Sequence, residues 1–138
     1  MNYHTHDAEI PSLEHLPDEA LQYVAGYFQA LAEPTRLQIL NHLRRGERNV
    51  GELARLCGFT SANVSRHLSL LTKHGLVARE TRGNSAYYRI ADPSIYALCD
   101  IVCGRIAQQL EATARSRTLF AAPARKPARS RARPARGA

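Results

Sequence analysis

The stretch from Val50 to Ile90, VGELARLCGFTSANVSRHLSLLTKHGLVARETRGNSAYYRI, decides how this chain folds. Val50, Leu53, Ala54 and Cys57 fall at i, i+3, i+4 and i+7, one stripe of a helical period, so a short helix is expected there. Gly58 stops it. Thr60 is placed to N-cap the next helix, its hydroxyl accepting a backbone N–H, and Val64, Leu68 and Leu71 continue an apolar face until Gly75 ends that helix. On the opposite face stand Ser61, Asn63, Ser65, Arg66, His67 and Ser69, short donors and acceptors plus one cation, where an ordinary solvated face would use more Glu and Lys. Such a face suits a helix that enters a major groove. Val77-Ala78-Arg79-Glu80-Thr81 and Ala86-Tyr87-Tyr88-Arg89-Ile90 then read as strands joined through Arg82-Gly83-Asn84-Ser85, with Gly-Asn supplying the φ > 0 residues of a tight turn. Arg79, Arg82 and Arg89 make this hairpin basic, which places its tip along a phosphate backbone or in a minor groove; the plainer alternative is a hairpin that merely covers the core. Helix, turn, helix and basic hairpin is the plan of a winged helix-turn-helix, and it makes double-stranded operator DNA the expected partner.

Outward from this head, Asp18 to Ala32 is expected to be a helix with Leu21, Val24, Tyr27, Phe28 and Leu31 on one side. A second helix opens with Pro34 and carries Leu37, Leu40 and Leu43 inward until Arg44-Arg45-Gly46 closes it. After the hairpin, Asp92-Pro93 is an N-cap followed by Pro at the first helical position, opening a long helix to about Arg117. Its stripe of Ile95, Leu98, Cys99, Val102, Cys103, Ile106, Ala107 and Leu110 is longer than one small domain covers. Burial against the first helix and against a second copy is the economical solution, and a twofold dimer matches a palindromic operator. The expected fold is therefore mainly α with a small β-hairpin wing, a homodimer through the first and last helices. The expected organisation is a flexible arm over 1–17, a DNA-binding and dimerisation domain over 18–117, and a disordered basic Ala/Pro/Arg tail over 118–138.

Composition narrows the function. The formal charge is +7, but Arg125, Lys126, Arg129, Arg131, Arg133 and Arg136 supply six of those charges, so the rest of the 138-residue chain is nearly neutral. The last eighteen residues, AAPARKPARSRARPARGA, have nothing to bury; they read either as a nonspecific tether to DNA or as a dispensable extension. No apolar run is long enough to span a membrane, and the opening MNYHTHDAEI has neither a basic start nor an apolar signal core, so a cytoplasmic location with no membrane partner is expected. His4, His6 and Asp7 in that opening are read as part of a mobile arm, with a metal contact as the alternative. Three cysteines without regular spacing fit free thiols in a reducing compartment. No nucleophile triad, Gly-rich phosphate loop or paired carboxylates occur in a plausible pocket context, so no enzyme is expected.

The segments Leu31-Ala32-Glu33-Pro34-Thr35-Arg36-Leu37-Gln38-Ile39-Leu40, Glu52-Leu53-Ala54, Asn63-Val64-Ser65-Arg66-His67-Leu68-Ser69-Leu70-Leu71, Gly75-Leu76-Val77 and Tyr87-Tyr88-Arg89-Ile90-Ala91-Asp92 together resemble the ArsR/SmtB family of bacterial repressors over about residues 20–112. The resemblance implies a homodimeric winged-helix repressor that leaves its operator when an inducer binds, often a metal ion, a trivalent metalloid or a thiol-reactive species. The family's inducer sites do not all carry over. Val50-Gly51-Glu52-Leu53 stands where arsenic-responsive members place a cysteine cluster; Asp92 matches a ligand of the zinc-sensing members, but Ser94, Arg105 and Gln108 occupy the other positions; Asn41 and Ala107 replace the cysteines of the persulfide-sensing branch.

What remains is Cys99-x-x-x-Cys103 on the last helix, with Cys57 apart. An i, i+4 pair puts two sulfurs on one side, with Cβ atoms about 6 Å apart, near enough for one soft ion to join them. Arsenite or antimonite prefers three thiolates, and the third could come from a partner subunit, Cys57 or a small cellular thiol. Cys57 also fits a purely structural role, as a small core hydrophobe. No cofactor is obligatory on this reading; the inducer is a thiophilic metalloid or metal ion. Alternatives are oxidation or sulfane-sulfur uptake by the same cysteines, or structural cysteines only. The residues expected to meet DNA are Ser61, Asn63, Ser65, Arg66, His67, Arg79 and Arg82.

Overall fold

A computed structural model describes residues 12–111 and 118–121. The arm before residue 12 and the basic run from residue 122 onward lie outside the described residues, as do His4, His6 and Asp7. The first compact unit extends to Pro93. It opens with a 3-10 turn at Leu13–His15, capped by Ser12, and continues through α1 (Asp18–Leu31), α2 (Pro34–Leu43), β1 (Arg48–Asn49), α3 (Val50–Cys57), α4 (Ser61–Lys73), β2 (Val77–Arg82) and β3 (Ser85–Ile90).

Each helix of the head starts and stops for a stated reason. Asn49 Oδ1 accepts the Glu52 N–H at 2.9 Å and so caps α3. Gly58, at φ 72, ends that helix with its N–H on the Ala54 carbonyl. Thr60 Oγ1 accepts the Asn63 N–H at 3.2 Å, the expected cap of α4. At the far end Gly75, at φ 73, donates to the Thr72 carbonyl while Leu76 N donates to the Leu71 carbonyl, a Schellman closure. Leu71 and Leu76 are both buried beneath it.

Ile39, Leu53, Val64, Leu68 and Leu71 form the fully buried centre. In α2 the inward positions are Thr35, Ile39, Leu40 and Leu43, whereas Leu37, expected inside, is 44% exposed. Steps of three residues fall about 60° short of a full turn, so the row 37, 40, 43 drifts off the face that 35, 39 and 43 hold. On α1, Leu21 and Phe28 are likewise exposed, although they were expected on the apolar side with buried Leu31. Gly26 of that helix lets His74, at the end of α4, come close: a Cβ there would lie 3.1 Å from His74 Cε1.

The sheet has three antiparallel strands in the order β1-β3-β2, one more than the hairpin alone. Val77 pairs with Ile90 and Arg82 with Ser85, so the loop is only Gly83-Asn84. Gly83 has φ 59 and Asn84 is not in the positive-φ region, which corrects the expectation that both turn residues lie there. Glycine first in a two-residue loop fits a type II′ turn.

The second unit begins at Ser94 and contains α5 (Ser94–Gln109), followed by a turn at Leu110 and Glu111. The regular helix therefore ends short of the expected Arg117; residues 112–117 are outside the described set. Ile95 is the buried residue of α5, while Ile101, Val102 and Leu110 are exposed. Residues 118–120 form one exposed helical turn.

Candidate nucleic-acid interface

The outer face of α4 presents the polar side chains together. Ser61, Arg66 and Ser69 are exposed, and Asn63 and Ser65 are half-buried. Arg66 Nη2 donates to Asn63 Oδ1 at 2.9 Å, one helical turn apart, so the guanidinium and the amide are already aligned as a pair. Ser69 Oγ donates to the Ser65 carbonyl at 3.0 Å. A shallow groove of about 410 Å³ follows this surface, lined by Arg36, Arg66, His67, Ser69, Leu70 and Lys73, with no carboxylate in its lining. Its field favours an anionic backbone.

His67 sits differently from its neighbours. Only 15% of its side chain is exposed, and Nδ1 lies 3.3 Å from Arg36 Nη1 and 3.9 Å from Glu33 Oε2. Glu33 Oε2 accepts the Arg36 N–H at 2.9 Å and so caps α2 ahead of Pro34. Arg36 in turn donates from Nε to the Ala30 carbonyl at 2.6 Å and from Nη2 to the Gln29 carbonyl at 2.9 Å, placing a cation on the last carbonyls of α1. Burial alone would raise the Glu33 pKa, but the Arg36 N–H, the field of His67 and hydrogen bonds from Thr35 outweigh it, and the carboxyl is held below its ordinary value. These three side chains tie the outward-facing helix to the α1–α2 corner. The sequence reading missed Glu33 and Arg36 as site residues; Glu33 directly before a helix-opening Pro34, with Arg36 three positions on, was the available signal.

On the wing, Arg79 and Arg89 are exposed. Arg82 is shared: Nη2 lies 2.9 Å from Glu80 Oε2 and 2.7 Å from Glu47 Oε2, and its guanidinium carbon lies 4.9 Å from the Tyr87 ring centroid. The Glu80 hydrogen bond, reinforced by Glu47 against a smaller desolvation effect, raises its pKa further. Arg82 therefore braces the turn on its own chain.

The thiols divide as follows. Cys57 is half-buried, and burial pushes its thiol pKa up, away from the reactive thiolate. Cys99 is half-buried and Cys103 exposed on α5. Among the described residues no group of three or more His, Cys, Asp or Glu is arranged to hold a metal ion. A Cβ on Gly104 would meet nothing within 4 Å, so no close approach among the described residues demands glycine there.

A capped helix-turn-helix with a polar outer helix, followed by a basic hairpin, defines a winged helix-turn-helix DNA-binding protein. A helix-turn-helix domain family model matches residues 31–80. A probable mercury resistance operon repressor of Streptomyces lividans is 38% identical over 88 residues, 64% of this chain and 66% of that relative. The transcriptional regulator NmtR of Mycobacterium tuberculosis is 39% identical over 85 residues, 62% of this chain and 71% of that relative. Among solved structures, the homodimeric winged helix-turn-helix domain of a possible ArsR-family regulator from Mycobacterium bovis aligns with TM-score 0.61 at 34% identity, over 72% of this chain and 95% of that one. The chain belongs to the ArsR/SmtB family of helix-turn-helix transcriptional regulators.

Proposed function

We propose that the protein is a homodimeric repressor that leaves its operator when a thiophilic inducer, a trivalent metalloid or soft metal ion, binds at Cys99 and Cys103. The observation that carries this reading is the placement of the two thiols one turn apart on α5, on the same stripe as exposed Val102. An apolar helix face open to water in one chain is the kind of surface a second copy covers, and the Mycobacterium bovis relative is described as homodimeric. Each chain contributes two sulfurs, and a twofold partner supplies the further thiolate that a three-coordinate metalloid needs. Thiolates select thiophilic centres over hard cations, in keeping with a relative named for mercury resistance.

Ser61, Asn63, Ser65, Arg66 and Arg79 meet DNA on this reading, Arg66 with Asn63 as a pre-aligned pair for base edges. His67 acts mainly by placing the helix, and Arg82 by placing the wing tip. Two copies of α4 about 34 Å apart fit successive major grooves, so an inducer need only favour a mismatched spacing, a coupling of about 5- to 150-fold. Fluorescence-monitored release of operator DNA, titrated with arsenite, antimonite, Hg(II), Cd(II), Zn(II) and Cu(I), tests this in wild type, Cys99→Ser and Cys103→Ser. At least one ion should release wild type and fail with both variants. Equal responses of all three proteins remove the thiols from the site, and release by polysulfide or peroxide without metal replaces coordination by a thiol switch.

A further inference from the structure

A second cleft, independent of both the thiols and the outer face of α4, opens at the end of α2. It measures about 690 Å³ and is lined by Asn41, His42, Arg44, Arg45, Arg48 and Leu56. That volume is in the range of small-molecule sites. Its lining contains three guanidiniums, an imidazole and an amide, but no carboxylate. The counter-charge beside Arg48 is loosely engaged: Arg48 Nη1 is 3.6 Å from Glu52 Oε2, beyond hydrogen-bond length. Arg48 Nε is buried without an acceptor. Guanidinium groups offer several donors in a fork that matches phosphate and carboxylate oxygens, and one with an unmet donor gains from an anion that completes its shell. Half-exposed Leu56 adds an apolar wall.

We propose that this cleft binds a small di- or polyanion, a phosphate- or carboxylate-bearing metabolite, through Arg45 and Arg48 with Asn41 and His42. Concavity and position favour a free anion over the DNA backbone, because no lining residue comes from α4, β2 or β3. An occupant is nonetheless connected to the reading head. Leu56 lies on the helix before the turn, and Arg48 lies on β1, paired with Tyr88 of the wing.

Calorimetric titration of the full chain with inorganic pyrophosphate, and in parallel with citrate, tests the site and separates phosphate from carboxylate preference. Wild type should show saturable binding of one anion per chain, weakened about tenfold or more in Arg45→Ala/Arg48→Ala. Arg66→Ala/Arg79→Ala should leave anion binding unchanged, and Arg45→Ala/Arg48→Ala should keep operator affinity in gel shift. Leu56→Trp, which fills the cleft without removing charge, should also block the anion and keeps the test valid if the double variant misfolds. The proposal is overturned if neither probe binds saturably, if the α4 and wing pair loses as much, or if the cleft variants lose operator affinity in step with anion affinity, which would make the cleft a grip on the DNA backbone.

Discussion

Between Val50 and Leu76 the chain buries Leu53, Val64, Leu68 and Leu71 completely, whereas α5, with 16 residues to the 8 of α3, has Ile95 as its buried residue and leaves Val102 45% exposed. The first region closes its core and caps its helices within one chain, so its geometry is set before any partner arrives. The second keeps its apolar stripe open. A rigid reading unit combined with an unsatisfied helix is the division of labour expected of a regulator whose half-site spacing is set by assembly. The thiols follow the same division, with the less available Cys57 in the head and Cys103 out on the helix.

Truncation separates the two regions most sharply. Leu68→Ala removes a fully buried side chain from α4 and should cost about 2–5 kcal/mol in urea unfolding, much of the stability of a small domain. Val102→Ala, on the open stripe of α5, should cost far less when unfolding is followed at protein concentrations too low for self-association. Equal losses would mean that α5 is as self-sufficient as the head.

A charge on the stripe reads the other side of the comparison. On the proposed dimer, Val102→Asp should raise the dissociation constant at least about tenfold in sedimentation equilibrium, because an unpaired carboxylate cannot be buried cheaply in an apolar interface. Helical content should stay near wild type. An unchanged dimer would place the self-contact elsewhere.

How much of this was legible in the sequence depended on how local the cause was. Thr60, Gly58 and Gly75 announce helix ends through hydrogen bonds and backbone angles within a few residues, and the structure has them there. Arg48 and Asn49 form β1 with no alternating pattern to mark them, since a two-residue strand exists only through its pairing with Tyr87 and Tyr88 nearly forty positions on. Arg36 and His67 meet across 31 residues, which periodicity cannot show. The turn was located correctly, but the loop needs one left-handed residue, and Gly83 supplies it. The residues expected to touch DNA were legible as a polar side of α4 and as positions on β2. Which of them are already engaged, as His67 and Arg82 are, was not.

Capping is a smaller effect inside the head. Thr60→Ala removes the acceptor for the Asn63 N–H from an exposed cap and should cost about 1 kcal/mol, a drop of about 4–8 °C in melting temperature for a domain of this size. Operator affinity should fall only modestly, since Asn63 and Arg66 remain paired with each other. A melting temperature equal to wild type would mean that the N-terminus of α4 is held by packing alone.

The smallest expected effect concerns pH and the corner that holds α4 in place. Because Glu33 is held below its ordinary carboxyl value in the folded protein, the folded state keeps its proton off more strongly than the unfolded state does. The resulting stability is fully present above the unfolded pKa, about 4.3, and is lost as pH falls through the lower folded value. Glu33→Gln should therefore flatten part of the acid side of the stability curve while leaving the difference between variant and wild type constant above about pH 6. Solvent at this partly exposed carboxyl keeps the change small. A Glu33→Gln curve parallel to wild type down to about pH 3 would separate the carboxylate from the Arg36 and His67 contacts, and leave the cap geometry alone to fix the corner.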